Sequence, residues 1–462
     1  MAISSRQPVD PSPKKLQSGT APAIFDIGFN ERLPLGQALI LGLQNVFGMT
    51  GMFVFPGLLG RAFNLSPEQI AYLYGMSFAT CGIITILQSV LLLRLPIIQG
   101  PYAGNFAALM AVGHLQSGGL GAAYGSLAVA ALIWCVLTVP IRGFSIVGLF
   151  AGYLRAPIIS GMIVILTIVQ IANVALPAWI GQPSSPGFGW VNLGAGTLAV
   201  AVLIAVTVWG GKIWRRGAVL FALAAGSVVY ALFRPVSFAQ VASAPLLVTP
   251  RLFPFGFGVH WDLVAIFLLV LIAAGMGSMA MYQLVADWGG EKLTPGRASE
   301  GVLGVGLGTI LVGIVGGFST IVYPDNIGLM RTTRVGSRYA TMTAGILLIV
   351  LGGCVKFDML LVVVPTPVLS ASATLLFGIV FMQGVQMLGR VNWDDRAFIA
   401  AGLAIMVGIG GLFIPPDVLN QMPLWLRLLV QQPVISGGLT VVIFYALLGH
   451  EQSGYEKQVK EG

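Results

Sequence analysis

Charge is in short supply in this sequence. Only 9% of its 462 residues are Asp, Glu, Lys or Arg, against about 25% in an ordinary soluble chain. Sixteen acidic side chains cannot keep a surface wet when 56% of the residues are hydrophobic and the mean hydropathy is +0.90. A soluble globular protein is excluded. Cysteine and histidine are scarcer still, with three of each. Cys81, Cys135 and Cys354 lie inside apolar runs without metal-ligand spacing, so they read as packing residues and no metal or cofactor is expected. His114, His260 and His450 fall near the ends of predicted spans, where none makes a convincing intramembrane proton relay. The HExxH and GxSxG motifs and the intramembrane Gly-Asp protease motif are missing, and Asp394-Asp395 has no second acidic pair, which leaves an enzyme without a catalytic centre.

What is present is long apolar sequence. Stretches without formal charge run from 35 to 60, 69 to 93, 95 to 141, 156 to 211, 263 to 286, 301 to 324 and 359 to 389. Each is long enough for one or two helices of about 20 residues across a bilayer. Divided at their turn signals, they predict helices near 35–59, 69–93, 104–116, 120–140, 145–176, 193–210, 217–233, 260–286, 301–318, 326–337, 338–355, 360–389, 397–414 and 430–449. Barrel strands are short and alternate in polarity, whereas these runs are continuous. The fold class expected is an all-α polytopic membrane protein of 14 transmembrane segments.

The net charge of +8 fits this picture rather than nucleic-acid binding, because the basic residues fall between apolar runs, where Lys and Arg set orientation. With the polar, Pro-rich segment 1–30 placed inside as a cytosolic tail, Arg94, Arg142, Lys212, Arg215, Arg216, Lys292, Arg297, Arg334, Arg338, Arg390 and Arg396 all become cytosolic. Arg61, Arg234, Arg251, Lys356 and Arg427 fall outside. Both termini, including a tail at 451–462, are therefore expected in the cytosol of a cell bounded by a plasma (bacterial inner) membrane.

The two halves echo one another. Tyr102-Ala103-Gly104-Asn105 is answered by Tyr323-Pro324-Asp325-Asn326, Pro157-Ile158-Ile159-Ser160 by Pro367-Val368-Leu369-Ser370, and Gly48-Met49-Thr50-Gly51-Met52 by Gly275-Met276-Gly277-Ser278-Met279. Seven helices followed by seven have opposite orientation, since seven is odd, and inverted repeats of this kind mark transporters. The two Tyr-x-x-Asn segments also precede helical runs too short to cross alone. They predict an extended segment plus a half-helix at the third and tenth spans, with N–H groups and positive dipole ends directed into a cavity.

These residues resemble the nucleobase-ascorbate transporter family, which includes uracil, xanthine and urate permeases. The stretch from Asp325 to Arg334, DNIGLMRTTR, is similar to the family signature of an acidic residue or Gln, then Asn-x-Gly, four variable residues and Thr-Arg. Leu43-Gln44-Asn45, Tyr102 to Phe106, Tyr323 and Val364-Pro365-Thr366-Pro367-Val368 add to it. The resemblance implies a core domain (31–142 and 259–356) and a gate domain (143–258 and 357–450), with substrate held between the third and tenth half-helices and contacted by the eighth helix. It further implies a homodimer and alternating access, with a proton or sodium ion as coupling ion. Aligned on the family, Ala274 stands where a substrate-binding Glu is usual, Ser278 where some members have His, and Gln44-Asn45 where many have Gln-His.

The candidate site follows from these residues. Asp325 can hydrogen-bond substrate N–H groups and carry a proton, or serve as an N-cap. Pro324 removes one backbone N–H from the break. Asn105, Asn326, Gln44 and Asn45 offer amides to the edge of a flat heterocycle, or join neighbouring helices. Tyr102, Phe106 and Tyr323 form a stacking wall or pack in the core. Arg331 lies roughly 9 Å along the half-helix from Asp325, and either snorkels to the interface or meets an anionic substrate or Asp287. A nucleobase-like substrate and a small organic or inorganic anion carried on the same architecture both remain open at this point.

Overall fold

The computed structural model describes residues 25–113, 119–140, 156–181, 188–211, 214 and 217–448, and for Pro324 and Asp325 the backbone alone. Residues 1–24 of the N-terminal tail, the tail at 451–462, His114, His450 and the segment 145–155 of the fifth expected helix lie outside the described residues.

The first half runs α1 (Leu35–Gly48), α2 (Phe55–Ala62), α3 (Pro67–Ile86), strand β1 (Gln99–Pro101), α4 (Ala103–Gly113), α5 (Gly119–Thr138), α6 (Pro157–Ile180), α7 (Trp190–Trp209) and α8 (Ala218–Phe233). A five-residue helix, α9 (Ala239–Ser243), leads to the second half. This comprises α10 (Trp261–Trp288), α11 (Pro295–Val315), β2 (Thr320–Val322), α12 (Pro324–Thr333), α13 (Arg338–Gly353), α14 (Val355–Val363), α15 (Thr366–Leu388), α16 (Asp395–Gly410), α17 (Pro416–Gln421), α18 (Leu424–Val430) and α19 (Pro433–Leu447).

Local chemistry sets the boundaries. Ser66 caps α3 through a reciprocal pair with Gln69, and Pro67 occupies the first turn, where its missing N–H is not needed. Thr294 caps α11 ahead of Pro295, which moves that helix six residues upstream of the expected start at 301. Asp394 caps α16 by accepting from the N–H of Ala397 at 2.8 Å. After α11, Gly316 and Gly317 take φ of 85° and 106°, a reversal open to glycine that turns the chain into β2.

Two expected helices are divided. The helix at 35–59 bends by 62° between α1 and α2, because the N–H of Gly51 donates to the Tyr323 hydroxyl at 2.8 Å instead of continuing the helical ladder. The helix at 360–389 starts at Thr366, since Pro365 ends the run before it and leaves 355–363 as the separate α14. Among the described residues, seven helices are long and apolar enough to cross a membrane, and the bent α1–α2 pair makes eight. The chain is an integral membrane protein, mostly helical. Three of the helices expected to span, Ala218–Phe233, Arg338–Gly353 and Pro433–Leu447, are apolar but shorter than 18 residues, so length and composition count up to eight spans among the described residues rather than fourteen.

Helix packing repeats with the halves exchanged. α3 lies on α13 as α11 lies on α5, α1 on α13 as α10 on α5, α4 on α10 as α12 on α1, and α7 on α8 as α16 on α19. The α6–α15 and β1–β2 pairs are their own images. Small residues let these backbones approach, as in other membrane helix pairs. A Cβ on Gly82 of α3 would stand 2.5 Å from the carbonyl oxygen of Gly345 in α13.

Candidate functional site

Two extended segments meet at the axis of this exchange. β1 and β2 pair antiparallel, with Gly100 opposite Ile321. The ladder continues one residue further at each end, where the N–H of Tyr102 donates to Ser319 O at 3.0 Å and that of Tyr323 donates to Ile98 O at 2.9 Å. The β-branched Thr320, Ile321 and Val322 suit extended backbone. α4 begins directly after Tyr102, and α12 directly after Tyr323. Each strand is thus an entry to a half-helix, as the paired Tyr-x-x-Asn segments lead one to expect.

The strands form one wall of a cavity of about 130 Å³, small beside the roughly 300–1,000 Å³ of drug-sized sites. A single flat ring system suits it better than a nucleoside. Pro101, Tyr102, Ala103, Ile321, Val322 and Tyr323 line it from the strand side, with Phe55 from α2 and Ala273, Met276, Gly277 and Met281 from α10. The facing wall comes from α6, through Ser160, Ile163, Val164, Thr167 and Ile168, and from α15, through Val380, Gln383 and Met387. Most of the lining is apolar. Its polar side chains include Tyr102, Tyr323, Ser160, Thr167 and Gln383. Thr167 gives its own proton to Ile163 O at 2.7 Å, leaving an oxygen lone pair beside the Tyr102 hydroxyl.

The remaining expected residues take several different positions. Asn326 and Asn45 join helices: the Asn326 amide donates to Asn45 O at 3.0 Å and Asn45 Oδ1 at 2.9 Å, and the Asn45 amide donates to Leu41 O. Asn105 is 1% exposed with no hydrogen-bond partner for either amide atom among the described residues, and Phe106 stacks on Phe55 with centroids 5.2 Å apart, which places Phe106 behind the cavity wall. Gln44 is half-buried on α1, away from the lining. Arg331 is exposed, with its guanidinium 5.7 Å from the Trp288 ring centroid, while Asp287 accepts from Gln283. Asp325 is the second residue of α12, two positions after a cavity-lining Tyr323.

On α10 the alignment and the geometry select neighbouring faces. Ala274 and Ser278 are fully buried in the packing, while Ala273 and Gly277 line the cavity. Ala274→Glu is therefore expected to lower the unfolding temperature sharply, because an unpaired carboxylate in a packed site costs several kcal/mol. Ala273→Glu should be tolerated and shift the pH dependence of uptake; thermal unfolding of the two purified variants compares them. Ser160, Thr167 and Gln383 were not foreseen. Gln383 is a polar residue inside the charge-free run 359–389, and Ser160 closes one of the repeated tetrapeptides, so each had a signal.

Residues 36–416 match the sequence model of a permease family (Xan_ur_permease). The uric acid permease PucJ of Bacillus subtilis is 29% identical over 428 residues, covering 88% of this chain and 92% of that protein. The nucleobase transporter PlUacP of Paenibacillus larvae is 27% identical over 423 residues, covering 88% and 93%. Among solved structures, the murine anion transporter Slc26a9 in its inward-facing state superposes with a TM-score of 0.59 at 13% identity, over 91% of this chain and 69% of that one. That likeness is one of fold, the inverted-repeat architecture of the packing above.

Proposed function

The chain belongs to the permease family of the xanthine and uric acid permeases, the nucleobase-ascorbate transporters, and from that premise we propose that it is a secondary transporter carrying a nucleobase-like heterocycle across the bacterial inner membrane. The observation that carries this reading is the cavity between the paired strands and the α6–α15 wall, sized for one flat ring and edged by hydroxyls and an amide. Asp325 would accept hydrogen bonds from ring N–H groups at the α12 N-terminus, Tyr102 and Tyr323 would flank the ring, and Gln383 would meet its far edge. Fourteen spans with both termini cytosolic fit the charge distribution. A core of α1–α5 and α10–α13 moving against a gate of α6–α8, α15, α16 and α19 would open the cavity to each side in turn, in a homodimer coupled to a proton or sodium ion.

The anion reading is weaker, because Arg331, the residue that favours it, lies exposed over Trp288 and outside the cavity lining. Uptake of labelled uracil, xanthine, uric acid and a small organic anion into proteoliposomes tests the assignment. Saturable uptake of at least one of the first three, competed by the others and not by the anion, is expected. Uptake of the anion alone would overturn it.

A further inference from the structure

α14 joins α13 to α15 at the end of α13 remote from residues 25–30, which hydrogen-bond beside its start, and it is not among the helices long enough to span. It carries Asp358, a carboxylate that neither the cavity nor the half-helices use. Asp358 is 1% exposed, and among the described residues neither of its oxygens has a hydrogen-bond partner and it forms no ion pair. Its Oδ2 and the carbonyl oxygen of Gly352 both lie 2.7 Å from the point where a Cβ on Gly75 of α3 would stand. Two acceptors crowd the same glycine. A charged carboxylate there would meet no hydrogen-bond donor among the described residues, whereas a protonated one carries no charge to be solvated. Burial pushes the Asp358 carboxyl up to about 9, with the neighbouring Cys354 adding to the shift.

The surroundings hold few charges. From α3 the ionisable neighbour is Tyr74, whose hydroxyl donates to Phe53 O at 3.0 Å. α13 ends at Cys354, α14 itself adds the exposed Lys356, and α9 has no ionisable residue. From α2, Arg61 donates through Nη2 to Val362 O at 2.9 Å and to Val364 O, the last carbonyls before Pro365 and the start of α15. Its Nη1 is buried with no hydrogen-bond partner among the described residues, Tyr74 lies within electrostatic range of both Arg61 and Asp358, and Tyr230 lies within range of Arg61. On its other side α14 borders a wide groove lined by Glu68, Tyr72, Arg251, Val355 and Met359, so a small shift of the helix would bring water to Asp358.

We propose that Asp358 is a proton-binding site of this transporter, occupied in the conformation described here and emptied to water when the α13–α14–α15 connection moves. Loss of the proton leaves an unpaired charge packed against Gly75 of α3, which favours release of α14 toward water and with it movement of the start of α15, the helix that brings Gln383 to the cavity. The proposal rests on the transport reading above, but places the titrating group outside the substrate cavity.

The test uses proteoliposomes of wild type, Asp358→Asn and, as a second charge-free variant suited to a buried site, Asp358→Leu, with labelled xanthine, uric acid and uracil. Counterflow exchange needs no net proton movement, whereas a one-unit pH gradient sustains about tenfold accumulation at one proton per substrate. Wild type should do both, and the variants should keep counterflow but lose gradient-driven accumulation. Accumulation by either variant at the wild-type level overturns the proposal. Wild type that exchanges none of the three substrates contradicts the transport reading instead. Should neither variant transport, thermal unfolding decides. With its native value raised from an ordinary value of about 4, Asp358 contributes stability that is complete at low pH and is lost as pH rises toward about 9. Both variants escape that loss and should gain on wild type between about pH 5 and about pH 8; an unchanged difference across that range contradicts the assignment.

Discussion

Replacing Asp325 by Asn is expected to weaken substrate binding by roughly 10- to 150-fold, the equivalent of about 1.5 to 3 kcal/mol for a lost charge-assisted hydrogen bond. Asp325 is the only carboxylate in α12 and sits in its first turn, two residues after Tyr323 at the cavity wall. There the orphan N–H groups and the dipole of the half-helix favour negative charge. Asn keeps the size and one acceptor oxygen, and caps a helix about as well as Asp, so the unfolding temperature should hold while affinity falls. Titration of labelled xanthine or uric acid onto monodisperse protein measures it. Wild-type affinity in Asp325→Asn would leave only a capping role.

Gly100→Ala should be as damaging for a different reason. A Cβ at this position would lie 2.2 Å from Cδ2 and 2.7 Å from Cγ of Tyr323, closer than any real contact. The ring has little freedom to retreat, because its hydroxyl accepts from Gly51 N–H and its own N–H is committed to Ile98 O. Overpacking of this kind costs about 1 to 3 kcal/mol, or roughly 5- to 150-fold if it appears wholly in binding. Displacing Tyr323 also releases the bend between α1 and α2, so both affinity and unfolding temperature are expected to drop. A variant that binds and melts like wild type would show that the strand pair and Tyr323 do not fix the site.

Much of this arrangement was legible in the residues themselves. The paired Tyr-x-x-Asn segments gave both half-helices and the extended chain before them, because a polar, Gly- and Pro-bearing tetrapeptide inside apolar sequence has few other roles at membrane depth. The break at Met49 to Val54 was not legible, since its cause is a hydrogen bond to Tyr323, 272 residues away. Nor was the orientation of α10, where alignment by Gly277 brings Ala274 and Ser278 into consideration but the helix turns Ala273 and Gly277 to the cavity. Hydropathy is nearly uniform around such a helix, so no amphipathic face reveals its rotation. Asp358 carries no signal in the sequence: it lies two residues from Lys356, between the expected spans 338–355 and 360–389, and only its packing against Gly75 sets it apart.

The central claim is that substrate occupies the cavity between the strand pair and α15. Maleimide labelling of Gln383→Cys, with Cys81, Cys135 and Cys354 replaced, tests it directly, using Gln386→Cys on the exposed side of the same helix as control. Labelling at 383 slowed by whichever nucleobase the protein transports, with labelling at 386 unaffected, is the predicted result. Equal labelling rates at 383 with and without saturating substrate would contradict it.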